Sequence, residues 1–357
     1  MMLNIFTKKI DTRQQDFSFG LWRLAMHRLK SDRIAMASFV VVLCYFLMLI
    51  LSMSGFIASD WNKEVAVSYA PPTFMDTDQK VIDRSKVIEQ STVNQSSNPI
   101  DYYGIQDPLA EDMKTIDQQL DGHLLDQQSE LKTTLPFGAD KWGQDIVLKT
   151  IKGAETSIIV GVVSALLAVI IGTFLGAIAG YFGDWVDDIL NWFYNVFTSI
   201  PYLLLVLAIA AVLQQKGILS IVLILGLTGW TGVFRLIRAE YMKHTAREYV
   251  LAAKAIGVSH TRRMFVHIFP NVSHIALVQI SILVVTFIKS EVILSFLGFG
   301  VPVGVVSWGS MLNEAQSELI LGKWWQLVAA SVAMAVLVTA FSMFTDVLRD
   351  ALDPKLK

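Results

Sequence analysis

The chain is short of cysteine and of charge. Its one cysteine, Cys44, lies inside an apolar run, so no intrachain disulfide can form and no cysteine metal site stands outside that run. Asp, Glu, Lys and Arg make up 17% of the residues, against about 25% in soluble domains. Their balance is −2, which leaves no bulk basic surface for nucleic acid. A phosphate-binding loop is missing as well. Gly322-Lys323 has neither the upstream glycine at the required spacing nor a following Ser or Thr. The chain is therefore read as no enzyme, and no catalytic, cofactor-binding or metal-ligating residue is nominated. His123 stands alone and reads as a surface residue. The first thirty residues are too charged for a signal peptide, and no small-residue cleavage site follows the first apolar block, which reads as an uncleaved anchor.

What is present is apolar sequence in blocks. Hydrophobic residues reach 54% and the mean hydropathy is +0.51, the pattern of an all-α membrane protein. Six transmembrane helices are expected, at about 34–57, 156–180, 189–213, 217–234, 273–299 and 325–345. The first is a charge-free run of about 24 residues, long enough at 1.5 Å per residue to cross a roughly 30 Å hydrocarbon core with tilt. Residues 1–33 form a basic N-terminal segment, with seven Lys or Arg against three Asp. Within it, 19–29 reads as an amphipathic helix lying in the lipid interface. Residues 58–155 form a large insertion between helices 1 and 2, with 17 acidic against 9 basic side chains and a turn-rich patch at 91–99. The remainder divides into a core at 156–348 and a tail at 349–357. Residues 235–263 carry seven Lys or Arg against two Glu. With the basic N-terminus, this places both termini and the 235–272 loop in the cytoplasm, and the insertion outside. The short acidic loop at 181–188 then falls inside, and the amphipathic stretch 307–323 on the outer surface or re-entering.

Three features within the core carry physical content. Ser164, Ala168, Gly172, Gly176 and Gly180 recur every four residues, a small-residue ridge that lets helix backbones approach, within the chain or against another one. Pro201, after Ser199-Ile200, kinks or opens the third helix and frees a carbonyl. Lys289 and Glu291 lie in apolar sequence, where charge is expensive. Being two apart, they point about 200° from each other on a helix, so only one can face a pathway. Lys289, costly if it faced lipid, is left to a cavity or a partner's carboxylate.

The charged stretch 245–271 organises the rest. Thr245 and Glu248 read as a capping box. Tyr249, Ala252, Ala253 and Ile256 then fall on one helix face. Gly257 is a left-handed stop, Ser259 begins a second short helix, and Pro270 ends it.

Ala252-Ala253, Gly257 four residues after Ala253, and Pro270 thirteen after Gly257 resemble the coupling loop of ABC importer permeases, with Leu251 where that family's Glu usually stands and Phe269 in place of its Leu. The stretch 137–145 (FGADKWGQD), 291–300 (EVILSFLGFG), 307–312 (SWGSML) and 346–354 (DVLRDALDP) resemble segments of the dipeptide and oligopeptide class of that family, with Gln144 replacing an Arg. The insertion, at roughly 60–135, is longer than that class has. The resemblance implies a permease subunit with a cytoplasmic coupling helix between helices 4 and 5, and Glu248, Tyr249, Ala252, Ala253, Ile256, Gly257 and Pro270 as the ATPase-coupling residues. Pro201, Lys289 and Glu291 are the candidates for the translocation pathway, and the resemblance of 291–300 implies a packing or hydrogen-bonding role for Glu291. It also implies partners: a second homologous permease, two ABC ATPases that hold the ATP and Mg, and an extracytoplasmic substrate-binding protein, all around a chain embedded in the lipid of a bacterial inner membrane. Peptides are the expected substrates; nickel, glutathione, opines or antimicrobial peptides are the alternatives. An ion-driven secondary transporter is the rival of another class, and it would need midplane carboxylates in several helices where only one helix carries any.

Overall fold

A computed structural model describes residues 32–75, 131–213, 217–302 and 304–352. The amphipathic segment at 19–29, the 91–99 patch, His123 and the end of the tail lie outside them. Every regular element among the described residues is helical: α1 (Arg33–Met53), α2 (Ile146–Phe182), α3 (Asp184–Thr198), α4 (Tyr202–Leu213), α5 (Ile218–Thr228), α6 (Thr231–Thr245), α7 (Glu248–Ala255), α8 (His260–Arg262), a π-helical turn (Arg263–Ile268), α9 (Phe269–Phe296), α10 (Trp308–Ile320) and α11 (Trp325–Leu352). The stretches 54–75 and 131–145 are joined by isolated bridges, Ala66 to Lys132 and Pro72 to Leu135.

Five helical segments are long and apolar enough to cross a membrane, and α3 with α4 makes a sixth if that bent pair counts as one span. The third span is thus broken where a kink was expected. Its halves meet at 82° around Ser199-Ile200-Pro201, because proline has no N–H to continue the ladder. A local hydroxyl takes up a freed carbonyl: Ser199 Oγ donates to Val196 O at 2.8 Å.

The second span starts earlier than apolar sequence alone indicates. Asp145 caps α2 by accepting the Val147 N–H at 2.7 Å, so 146–155 belongs to the helix and not to the insertion. With 37 residues, α2 is about 55 Å long and projects beyond a bilayer core. It runs into α3 through one residue, Gly183, at φ +66, followed by Asp184 at φ +43. The expected turn at 181–188 shrinks to that junction, because residues 184–188 already form the first turn of α3.

Around α2 pack α1, α3, α5, α6, α9, α10 and α11. The small-residue ridge faces α6 of the same chain. A Cβ on Gly172 would lie 2.7 Å from Trp230 O and one on Gly176 2.8 Å from Phe234 O, and one on Gly180 would meet Arg238 O. Every fourth residue of α2 thus meets every fourth residue of a parallel α6. On another face, Ser157 Oγ donates to the Glu291 carboxylate at 2.7 Å and receives the Trp308 N–H at 3.3 Å, while Ser295 Oγ donates to Glu291 at 2.7 Å. That buried knot ties α2, α9 and the start of α10. Alternating directions put the start of α1, α7 and the end of α11 at one end of the bundle, and α10 with residues 131–145 at the other.

The ridge gives a stability test. Gly176→Val should destabilise the folded chain by about 1–3 kcal/mol, because the added carbons meet a backbone carbonyl that cannot yield. Gly232→Ala, where nothing lies within 4 Å of the new Cβ, should be neutral or gain up to about 1 kcal/mol of helix propensity. Thermal unfolding of both variants in one detergent, read against the unsubstituted chain, checks the pair.

Candidate functional site

The stretch 245–271 forms a helix, a left-handed turn and a longer helix, but its ends differ from the sequence reading. Thr245 closes α6, its Oγ1 donating to Met242 O at 2.8 Å, and α7 begins after Arg247, which makes no side-chain cap. The expected capping box is therefore absent: one more turn of α6 takes the threonine. Gly257, at φ +78, stops α7 as expected. Its N–H bonds to Lys254 O at 3.1 Å and that of Val258 to Ala253 O at 3.0 Å, the paired bonds of a Schellman ending. The second helix begins after Ser259 and does not end at Pro270. It runs unbroken from His260 to Phe296, with the proline in the first turn of α9. The π turn immediately before it accounts for this. Bonds to the fifth residue absorb the register change at a residue with no N–H, where an ideal α-turn would clash.

Burial divides α7 differently from the expected face. Val250 and Ala253 are the buried residues, Val250 packing in one cluster with Tyr241, Met264 and Ile268. Tyr249 lies at the edge, its hydroxyl 2.9 Å from His244 Nδ1 and 3.5 Å from Asn271 Nδ2, and so ties α7 to α6 and α9. Glu248 and Ala252 are exposed, Leu251 is 52% exposed and Ile256 81%. The helix is thus pinned by one side and bare on the other, with its largest apolar side chain facing out.

Three neighbouring contacts had no signal in the sequence. Asp187 of α3 receives both Nε and Nη2 of Arg238 on α6. Tyr241 Oη donates to Met264 O at 3.2 Å. The Tyr181 hydroxyl lies 3.1 Å from His260 Nδ1, with the Arg263 guanidinium 5.7 Å from the Tyr181 ring centre. Each joins residues tens of positions apart with no motif to link them. Together they make the base of α7 continuous with α2, α3, α6 and α9.

The pathway candidates separate as the 200° argument requires. Glu291 is fully buried on the serine knot, whereas Lys289 is exposed on α9, with no ion pair among the described residues. Lys289 sits seven residues before the end of α9, about 10 Å from it, nearer the end than the middle of the span. Pro201 lies at the exposed break between α3 and α4.

Comparison with known proteins gives the family of these helices. Residues 172–357 match the family described as "Binding-protein-dependent transport system inner membrane component", and residues 20–72 match "N-terminal TM domain of oligopeptide transport permease C". Most of the insertion falls between the two matches. The chain is 36% identical over 251 residues, 69% of its length, to the dipeptide transport system permease protein DppC of Bacillus subtilis (strain 168), covering 78% of that protein. It is 36% identical over 221 residues, 62% of its length, to the oligopeptide transport system permease protein OppC of the same strain, covering 72% of it. To a putative peptide permease protein of Brucella ovis it is 36% identical over 220 residues, 61% of its length and 72% of the relative's. More than half of the chain matches one family along the helices that build the α6–α9 loop: the chain belongs to the binding-protein-dependent transport system inner membrane components.

Proposed function

We propose that the chain is the permease subunit of an ATP-driven ABC importer for dipeptides or oligopeptides. It forms half of the translocation pathway and couples to ATPase subunits through residues 245–271. The observation that carries this reading is α7 itself, braced on α6, the π turn and α9 by Val250 and Tyr249, with Ala252, Leu251 and Ile256 left bare at one end of the bundle. A short helix held this way is suited to pass a push into the spans, since coupling requires a docked element rigidly continuous with them. The names of the relatives, dipeptide and oligopeptide permeases, support peptides as the substrate class.

In this reading the α7 end, with both termini, is cytoplasmic, and the insertion and α10 are extracytoplasmic. The chain pairs with a second homologous permease, two ATPases that bind ATP and Mg, and a substrate-binding protein that meets the insertion side. Closure of the ATPases drags α7, and Arg238–Asp187 carries the movement into α3. Glu291 holds the packing together, while Lys289 and Pro201 belong to the pathway.

Three outcomes are expected. Gly257→Pro removes a turn amide and forbids the left-handed φ, while Ile256→Glu changes only an exposed side chain. Both should lower ATP-dependent peptide uptake roughly tenfold or more at normal membrane levels of the chain, and Ile256→Glu should also weaken copurification with the ATPase. Wild-type uptake in both would remove α7 from coupling. For sidedness, a cysteine at Ser96 should react with an impermeant thiol reagent in intact spheroplasts; reaction confined to inverted vesicles would reverse the topology. Lys289→Met should reduce peptide transport more than basal ATP hydrolysis, with assembly intact, as expected of a cation that attracts a peptide carboxylate. Loss of the assembled complex would make Lys289 an intersubunit ion-pair residue instead.

A further inference from the structure

The end of the bundle opposite α7 holds a buried ionic cluster that coupling does not use. Lys149, in the first turn of α2, is 2% exposed and donates to Asp140 and to Glu314, each at 2.7 Å. Asp140 also accepts the N–H groups of Trp142 at 2.8 Å and Gln144 at 2.9 Å. Glu314 also accepts from Gln326 Nε2 at 3.1 Å. One turn along α10 from Glu314 lies Glu318. It is fully buried, and neither carboxylate oxygen has a hydrogen-bond partner among the described residues. The Lys141 amide faces it without reaching hydrogen-bond geometry. Gln326 Oε1, in the first turn of α11, is buried and unpartnered too.

The charges explain this. One ammonium, Lys149, already serves two carboxylates, Asp140 and Glu314. An ionised Glu318 would be a third, with no hydrogen-bonded donor among the described residues, and a buried carboxylate so placed takes up a proton instead. Burial pushes the Glu318 carboxyl up to about 7; Lys149 pulls it down, and Asp140 and Glu314 push it up. Among the described residues, the charged and polar groups facing Glu318 are Asp140 and Lys141 from the loop before α2, Lys149 from α2 and Glu314 from α10 itself.

Glu318 is also a structural corner. Its carbonyl accepts the N–H groups of Leu321 at 3.0 Å and Lys323 at 2.9 Å, closing the turn from α10 into α11. Just past that turn, Trp325 Nε1 donates to Ala139 O at 2.7 Å, beside Asp140. Glu318, with no ion pair among the described residues, therefore holds the corner that seats α10 and α11 on the loop before α2.

We propose that Glu318 is a proton-binding site that locks the α10–α11 corner. The neutral acid fits the buried position. Release of its proton to bulk water places a third carboxylate on Lys149, weakens the Leu321 and Lys323 turn bonds, and frees the start of α11 from Ala139. The site requires no ATPase and stands apart from the transport reading. The sign follows from a pKa raised above an ordinary glutamate. The native chain binds more protons than the unfolded one between about pH 4.5 and about 7, so stability falls as pH rises through that window and levels off above it.

The test uses the full chain in lipid nanodiscs from about pH 5.5 to about pH 8.5. It reads the melting temperature and the hydrogen-exchange protection of the Leu321 and Lys323 amides, each relative to unstructured chain at the same pH. The unsubstituted chain should lose both through a one-proton step near neutrality. Glu318→Gln, which mimics the protonated acid, should keep the acid-form values across the range. Glu314→Gln alters a partly exposed residue and removes a neighbouring negative charge, so it should move the step down by about one pH unit. A flat wild-type profile, a step that persists in Glu318→Gln, or an unmoved midpoint in Glu314→Gln overturns the proposal. If Glu318→Gln fails to fold, the Glu314→Gln midpoint decides.

Discussion

Backbone-to-backbone contact between α2 and α6 is the constraint on which the rest depends. In a lipid environment apolar side chains gain little by meeting one another, so helices associate through close packing and a few polar bonds. Gly172, Gly176 and Gly180 let α2 lie directly on the carbonyls of Trp230, Phe234 and Arg238. That contact fixes α6 along α2, and α6 then fixes α7 through Tyr241, His244 and the Val250 contact. The exposed helix at the end of the bundle is held in place by three residues without side chains.

Polar groups do the second part of the work, and they do it sparingly. Glu291 joins two serines from different helices and is as costly to bury as any group in the chain, yet both its oxygens are occupied. Arg238 and Asp187 form a two-pronged pair at the junction of α2, α3 and α6. Such pairs add direction more than stability. Each sits where two helices must keep one relative rotation.

Much of this was legible in the sequence because it rests on short-range rules. Apolar runs marked the spans, the four-residue repeat marked the glycine ridge, and Gly257 marked the end of α7 through its need for positive φ. The ridge could not name its own partner, since spacing shows that a backbone will be approached but not by which helix. The misread ends had local causes as well. Thr245 satisfies a cap pattern, but continuation of α6 outcompeted it. Pro270 reads as a stop in α-helical geometry and ceases to be one after a π turn. The buried cluster around Lys149 was illegible, because Asp140, Lys149, Glu314 and Glu318 come from three separate stretches that only the fold assembles. Glu318 in particular reads as one polar residue on an amphipathic helix until its surroundings are known.

The junction between α2 and α3 has no spare length. Gly183 alone separates a 37-residue helix from a 15-residue one, so the direction and the rotation of α3 are both set by where α2 ends. One inserted residue would turn α3 by about 100°. Asp187 would swing away from Arg238, and Tyr194 and Phe197 would leave the Trp230–Phe234 surface. A deletion would turn them by the same angle in the other direction. At this point substitution is confined to the φ range of glycine, and any change of length would cost the chain the joint between α2 and α3.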